Sequence, residues 1–129
     1  MSGKFLLDTN IIIGLFAKDR RVLQRLKKAE QVFLSSIVVG ELLYGAHNSS
    51  QVRKNLARIE EFVAANPVLA CDLETARHYG RIKNRLRRKG RPLPENDIWI
   101  AALARQHGLT LVSRDVHFRE VETLPVQAW

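Results

Sequence analysis

The stretch Gln31–Gly45, QVFLSSIVVGELLYG, decides the fold. Gln31 to Leu34 is a short apolar run that ends at Ser35 and reads as a strand. Ser36 is a suitable N-cap, so a helix is expected to begin there with no hairpin signal in between. A strand that feeds directly into a helix belongs to a crossover joining parallel strands. Glu41 stands in the middle of that helix among Ile37, Val38, Tyr44 and Gly45, which offer no positive partner at helical spacing. A lone carboxylate on a buried face costs several kcal/mol unless something compensates it. Gly40 and Gly45 are expected to leave room for close packing of this helix.

Moving outward, the same grammar repeats. Lys4 to Leu7 is an apolar run ending at Asp8 and reads as the first strand, followed by helical material with Val22, Leu23 and Leu26 as its apolar stripe. A further helix runs through Val52, Leu56, Ile59 and Val63 at 3.6-residue spacing until Asn66 and Pro67 break it. VLAC at 68–71 makes a third strand, and Asp72 caps a helix towards Lys89. In that helix Ala76, Tyr79, Ile82 and Leu86 face inward, which leaves Arg77, Arg81, Arg85 and Arg88 on a basic stripe. KGRPLP is a loop, Asn96 or Asp97 opens the helix DIWIAALARQH, and Gly108 stops it in the left-handed conformation. LTLVS is the fourth strand, and TLPVQAW adds a short edge strand, where Pro125 is tolerated. Alternating strands and helices predict an α/β fold with a parallel sheet of four to five strands, covered by helices on both faces.

Composition bounds the function. A chain of 129 residues, 46% of them hydrophobic, is the size of one domain, 1–129, able to bury roughly 65–70% of its unfolded surface. Its single cysteine excludes an internal disulfide, and its four histidines lack zinc-type spacing. The start MSGKFLLDTNIIIGLF does not read as a leader, because Asp8 and Asn10 interrupt the apolar run and no small-residue cleavage site follows. No run is long enough for a membrane span, and a cytoplasmic location is the default expectation. A formal charge of +8, concentrated in RRVLQRLKK and RHYGRIKNRLRRKGR, favours a polyanionic partner, nucleic acid first. From charge alone, a solvated helix face explains these segments equally well.

Right-handed crossovers place the start of each helix that follows a strand at the carboxyl edge of the sheet, where open α/β sheets build their sites. Asp8 follows the first strand, Glu41 lies in the second turn of the helix after the second, Asp97 begins the helix before the fourth, and Asp115 follows the fourth. All four are expected at one edge. With strand order 3-2-1-4, Asp72 ends a strand at the same edge but on the order of 10 Å from Asp8, and is assigned to helix capping. Glu95, between Pro94 and Asn96, is expected in a loop outside the cluster. Asn10 and Ser113 are expected to support the acids by capping or hydrogen bonding.

Two unit charges 4 Å apart repel by about 4 kcal/mol at an effective dielectric near 20. Four carboxylates in one cleft therefore hold protons or bind a cation. Oxygen donors without histidine or cysteine select Mg²⁺ or Mn²⁺. A metal-activated water next to a basic surface points to phosphodiester hydrolysis.

These residues also carry a resemblance. FLLDTNIIIGLF, LSSIVVGELLYGA and PENDIWIAALARQHGLTLVSRDVHF, with the chain length, resemble the PIN-domain ribonucleases, in particular the VapC-type toxins of toxin-antitoxin modules. The likeness spans almost the whole chain. It implies a Rossmann-like sheet, a Mg²⁺ or Mn²⁺ site and endonucleolytic cleavage of RNA. Matched residue by residue, the family's acidic tetrad falls on Asp8, Glu41, Asp97 and Asp115. Asp8 and Asp97 are implied as direct metal ligands, Asp115 lies near the metal, and Glu41 acts directly or through water. Ser113 is the serine of the family's Ser/Thr-x-Asp element. A homodimer is also implied, together with a small antitoxin whose basic or apolar C-terminal segment occupies the acidic groove. Arg81, Arg85 and Arg88 are the candidate RNA-binding residues.

Competing readings meet named residues. A receiver domain needs an adjacent acidic pair after the first strand and a lysine after a late one, whereas this chain has DTN and no lysine beyond Lys89. An Asp-x-Asp phosphatase needs an acid where Asn10 stands. A non-catalytic RNA- or partner-binding module fits the basic stripe and leaves the acids unexplained. A flap-endonuclease-like DNA nuclease calls for additional acids.

Overall fold

The computed structural model describes residues 3–129; Met1 and Ser2, the first residues of the stretch read against a leader, lie outside them. Strand β1 (Lys4–Leu7) is followed by helices α1 (Thr9–Phe16) and α2 (Arg20–Lys28), then β2 (Gln31–Ser35), α3 (Ser36–His47) and α4 (Val52–Ala65). The second half runs through β3 (Val68–Leu69), α5 (Leu73–Lys89), α6 (Glu95–His107), β4 (Thr110–Val112), a 3-10 turn (Val116–Glu120) and β5 (Val126–Gln127). The five strands form a sheet in the order β3-β2-β1-β4-β5. Every pairing is parallel, with Leu6 opposite both Phe33 and Leu111. The order contains the predicted 3-2-1-4, and β5 is the expected edge strand.

The chain crosses from one side of β1 to the other between β3 and β4, so the switch point falls between β1 and β4. Asp8 continues the ladder at that point, its N–H donating to the Val112 carbonyl at 2.9 Å. Helix α6 is apolar on most sides and is correspondingly central, with Ile98, Ile100, Ala101, Ala102, Leu103 and Ala104 all buried. Gly108 ends it in the left-handed conformation at φ 64°, as the sequence predicts. Trp129 is buried edge-on against Phe5, with ring centroids 5.2 Å apart, and its carbonyl accepts from Arg114 Nε at 2.7 Å. No helix among the described residues is long and apolar enough to cross a membrane.

Several expectations need correction. The cap of α3 is Ser35, whose hydroxyl accepts from Val38 N–H at 3.0 Å; Ser36 is the first helical residue. Two consecutive serines can both cap, and the one that ends the strand is held in extended backbone. Helix α6 begins at Glu95, with Pro94 as its cap, so Glu95 is helical and binds Lys83 and the Tyr79 hydroxyl. Helix α3 is only half embedded: Val38, Leu42 and Ala46 are buried while Tyr44 is 73% exposed. At Gly40 and Gly45 an added Cβ would meet nothing within 4 Å, so these glycines face open space and no close neighbour within the chain.

Candidate active site

Four elements deliver the acids. Asp8 caps α1 from the end of β1, Glu41 projects from the second turn of α3, Asp97 lies in the first turn of α6, and Asp115 caps the 3-10 turn after β4. Asp8 is the most enclosed, at 6% exposure. One of its oxygens accepts from Thr9 N–H at 2.8 Å; the other accepts from the Ser113 hydroxyl at 2.7 Å and, at the limit of a hydrogen bond, from Asn10 Nδ2 at 3.5 Å. Asn10 Nδ2 also reaches Ser113 Oγ at 3.3 Å, and its Oδ1 accepts from Arg114 N–H at 3.2 Å. Ser113 Oγ in turn accepts from Asp115 N–H at 3.0 Å. Asn10 and Ser113 therefore tie the end of β1 to the turn after β4, which fixes Asp8 relative to Asp115.

Two further residues orient Glu41, and sequence reasoning missed both. The Thr9 hydroxyl donates to Glu41 Oε1 at 2.7 Å and Asn96 Nδ2 donates to Oε2 at 3.4 Å. Thr9 lies within the DTN run and Asn96 adjoins Asp97. The available signal was their adjacency to acids already singled out. Asp115 Oδ1 accepts from His117 N–H at 3.0 Å and contacts His117 Nδ1 at 2.7 Å.

The electrostatics reflect the convergence. Burial pushes the Asp8 carboxyl above the usual aspartate range, with the charges of Glu41 and Asp115 adding to the rise; the bonds from Ser113 and Thr9 work against it. Asp97 is pushed up to about 6, first by burial and then by Asp8, Asp115 and Glu41, with His117 opposing. Asp97 feels the other three acids and Asp8 feels two of them, although they arrive from distant parts of the chain. Among the described residues no three His, Cys, Asp or Glu side chains stand close enough to close around an ion. Mg²⁺ keeps several waters and needs only one or two direct carboxylates. The donor set is oxygen only and its negative charge is self-repelling, so a hard divalent cation fits these residues.

A family model described as "PIN domain" matches residues 5–124. The chain belongs to the PIN-domain family. It is 40% identical to "Ribonuclease VapC2" of Haemophilus influenzae over 98% of each chain. It is 39% identical to "tRNA(fMet)-specific endonuclease VapC" of Shigella flexneri, again over 98% of each chain. In three dimensions it is similar to a DNA-bound VapBC structure from Salmonella typhimurium, with a TM-score of 0.90 and 34% identity over 100% of this chain and 99% of the other.

Other sequence candidates in this PIN domain lie away from the acids. Asp72 does not sit at the carboxyl edge beside them. It forms a capping box with Thr75 and accepts from Gln106 Nε2 at 2.9 Å, in the last turn of α6. Gln106 follows Asp97 by nine residues, about 13 Å along the helix. The basic stripe is partly neutralised: Arg77 pairs with Glu74, and Arg85 pairs with Glu122 at 2.7 Å. Arg81 and Arg88 form no ion pair among the described residues. Arg81 and Arg85 lie near enough to Arg105 to lower its pKa, after burial as the main cause. The stripe thus runs towards the far end of α6 from Asp97.

Beside the acids lies a groove of about 340 Å³ between α1, α3 and α4, walled by Ile13, Phe16, Leu42 and Ile59 with Arg58 and Glu41 among its polar groups. Ile13 is 55% exposed on it. Arg58 stacks over the Phe16 ring at 4.8 Å.

Proposed function

We propose that this PIN domain, spanning 1–129 as one unit, is a VapC-type toxin: a divalent-metal-dependent endoribonuclease held in check by a small VapB-like antitoxin. The observation that carries this reading is the convergence of Asp8, Glu41 and Asp115 on the partly buried Asp97, in a chain 40% identical to a VapC ribonuclease along its length. Mg²⁺ or Mn²⁺ is the cofactor the donor set suits. Asp8 and Asp97 are the direct ligands, Asp115 supports the ion, and Glu41 completes the site directly or through water. When bound, such an ion lowers the pKa of a water and offsets charge on the phosphate under attack.

The chain's own residues do the rest. Ser113, Thr9 and Asn10 hold the Asp8 carboxylate in one orientation, so little reorganisation accompanies binding. Thr9 and Asn96 do the same for Glu41, which is the acid nearest the open groove. The apolar groove next to Glu41 suits the C-terminal segment of an antitoxin, which would cover the acids from that side. The protein acts as a homodimer in the cytoplasm, and Arg81 and Arg88 supply phosphate contacts at the periphery, with Arg85 joining once released from Glu122.

The test is cleavage. Purified protein with Mg²⁺ or Mn²⁺ is expected to cut structured RNA, and the Shigella relative makes tRNA(fMet) the first substrate to offer. Asp8→Asn or EDTA is expected to reduce the rate by at least about 100-fold with the circular dichroism spectrum unchanged. RNA left intact by the wild type, or cut equally well by Asp8→Asn, removes the nuclease reading.

A further inference from the structure

Helix α3 presents a second face to the acid cluster, on the side away from the apolar groove. Ser36, Gly40 and Tyr44 follow one another at four-residue spacing, so they share a stripe on the helix surface, and Glu41 adjoins it. Together with Ile37 and Asn96 these residues line an open cleft of about 590 Å³ between α3 and the start of α6. Tyr44 is 73% exposed, the most exposed large apolar side chain among the described residues, and one turn before it Gly40 leaves bare space. Long helical side chains lean towards the preceding turn, so the tyrosine ring and the gap at Gly40 form a flat wall beside an opening. The cleft shares Glu41 with the acid cluster and has the Asn96 amide and Ser36 hydroxyl on its rim.

We propose that this cleft is a nucleobase subsite, in which the base next to the scissile phosphate stacks on Tyr44 over Gly40 and meets Asn96 and Ser36 with its polar edge. The proposal rests on the ribonuclease reading above and adds which part of the substrate is recognised. A phosphate at the acids puts the neighbouring nucleotide within reach of whatever adjoins Glu41, and the Tyr44 cleft adjoins it directly. Sequence-selective RNA recognition works on unpaired bases splayed onto aromatic rings and hydrogen-bonded along their edges. A stacked ring with an amide and a hydroxyl beside it supplies both parts. Tyr44 contributes little to the core at its exposure, and a side chain at Gly40 meets no neighbour, so neither position is held by the needs of folding.

The test uses the full chain and single-stranded RNA heptamers carrying 2-aminopurine at successive positions, with Ca²⁺ in place of Mg²⁺ to fill an oxygen site without octahedral geometry. The wild type is expected to quench the probe at one position. Tyr44→Ala is expected to abolish that quenching and weaken binding roughly 5- to 150-fold, the range set by base–aromatic stacking. Tyr44→Phe retains both, and Gly40→Leu fills the cleft and loses both while the melting temperature holds or rises. Absence of quenching in the wild type, or wild-type binding and quenching by Tyr44→Ala, overturns the proposal. So does a change in mass by light scattering in Tyr44→Ala with RNA binding unchanged, which assigns Tyr44 to a contact between two copies. A wild type that binds and quenches but cuts no RNA with Mn²⁺ keeps the subsite and removes the nuclease reading. One that cuts RNA while Tyr44→Ala cuts it equally removes the subsite alone.

Discussion

Helix α6 has an aspartate near each end, and the two are held in opposite ways. At its last turn, Asp72 of α5 accepts from Thr75 N–H at 3.1 Å and from Gln106 Nε2 at 2.9 Å, and these bonds draw its carboxyl below the usual aspartate range. At its first turn, Asp97 sits partly buried among Asp8, Asp115 and Glu41 and is pushed up to about 6. Donors surround the first acid and like charges surround the second. Asp72, met by donors alone, caps a helix; Asp97, met by other carboxylates, is left to a cation or a proton. This contrast separates Asp72 from Asp97 in this PIN domain, while Asp8, Glu41 and Asp115 combine hydrogen-bond donors with neighbouring carboxylates.

The largest stability effect is expected where repulsion is relieved. The folded-state value of Asp97, about 6, lies above the ordinary 3.8, so between these pH values the folded chain keeps a proton that the unfolded chain has released. Its destabilisation is therefore absent below pH 3.8, grows as pH rises, and is complete above about pH 6. Asp97→Asn is expected to stabilise the metal-free protein at pH 7 by about 1–2 kcal/mol, less than the full shift because the cleft is open to solvent, and by almost nothing near pH 4. Chemical denaturation at the two pH values in EDTA reads this out; a destabilised variant at pH 7 would mean that Asp97 has a stabilising partner.

Asp72→Ala is expected to act in the other direction and elsewhere. Loss of the capping box lowers the melting temperature by a few degrees and leaves RNA cleavage at the wild-type rate. A cleavage defect in a variant that stays folded would join the two ends of α6 functionally and undo the distinction. The smallest effect is expected on the basic stripe. Arg81→Ala with Arg88→Ala should weaken RNA binding and lower the slope of log affinity against log salt by about one to two, one for each phosphate no longer neutralised. An unchanged slope makes the stripe a solvated face.

Most of this contrast was legible in the sequence. Parallel topology followed from strands that run straight into helices, as in QVFLS-SIVVG, and the strand order then brought Asp8 and Asp115 to the switch point. Assignment of Asp72 to capping was also legible, from its place before an amphipathic helix, although its separation from the acids arises because α5 begins beside the last turn of α6. The exposure of helix α3 was hidden. Its residues are apolar on nearly every side, so periodicity carries no direction, and Tyr44 with two glycines looked like core when it lines open space. Thr9 and Asn96 were hidden for a different reason: a short polar side chain beside an acid has many local uses, and only the packing of α1 and α6 against α3 turns them towards Glu41.

The central claim is that Asp8, Glu41, Asp97 and Asp115 form one cation site whose repulsion the cation relieves. Calorimetric titration with Mn²⁺ in buffers of differing ionisation enthalpy tests it most directly. At pH 6, where Asp97 is about half protonated, binding should release protons; near pH 8 it should release almost none, and Asp97→Asn should remove the difference. No binding by the wild type, or the same proton release at both pH values with or without Asp97, would contradict the account.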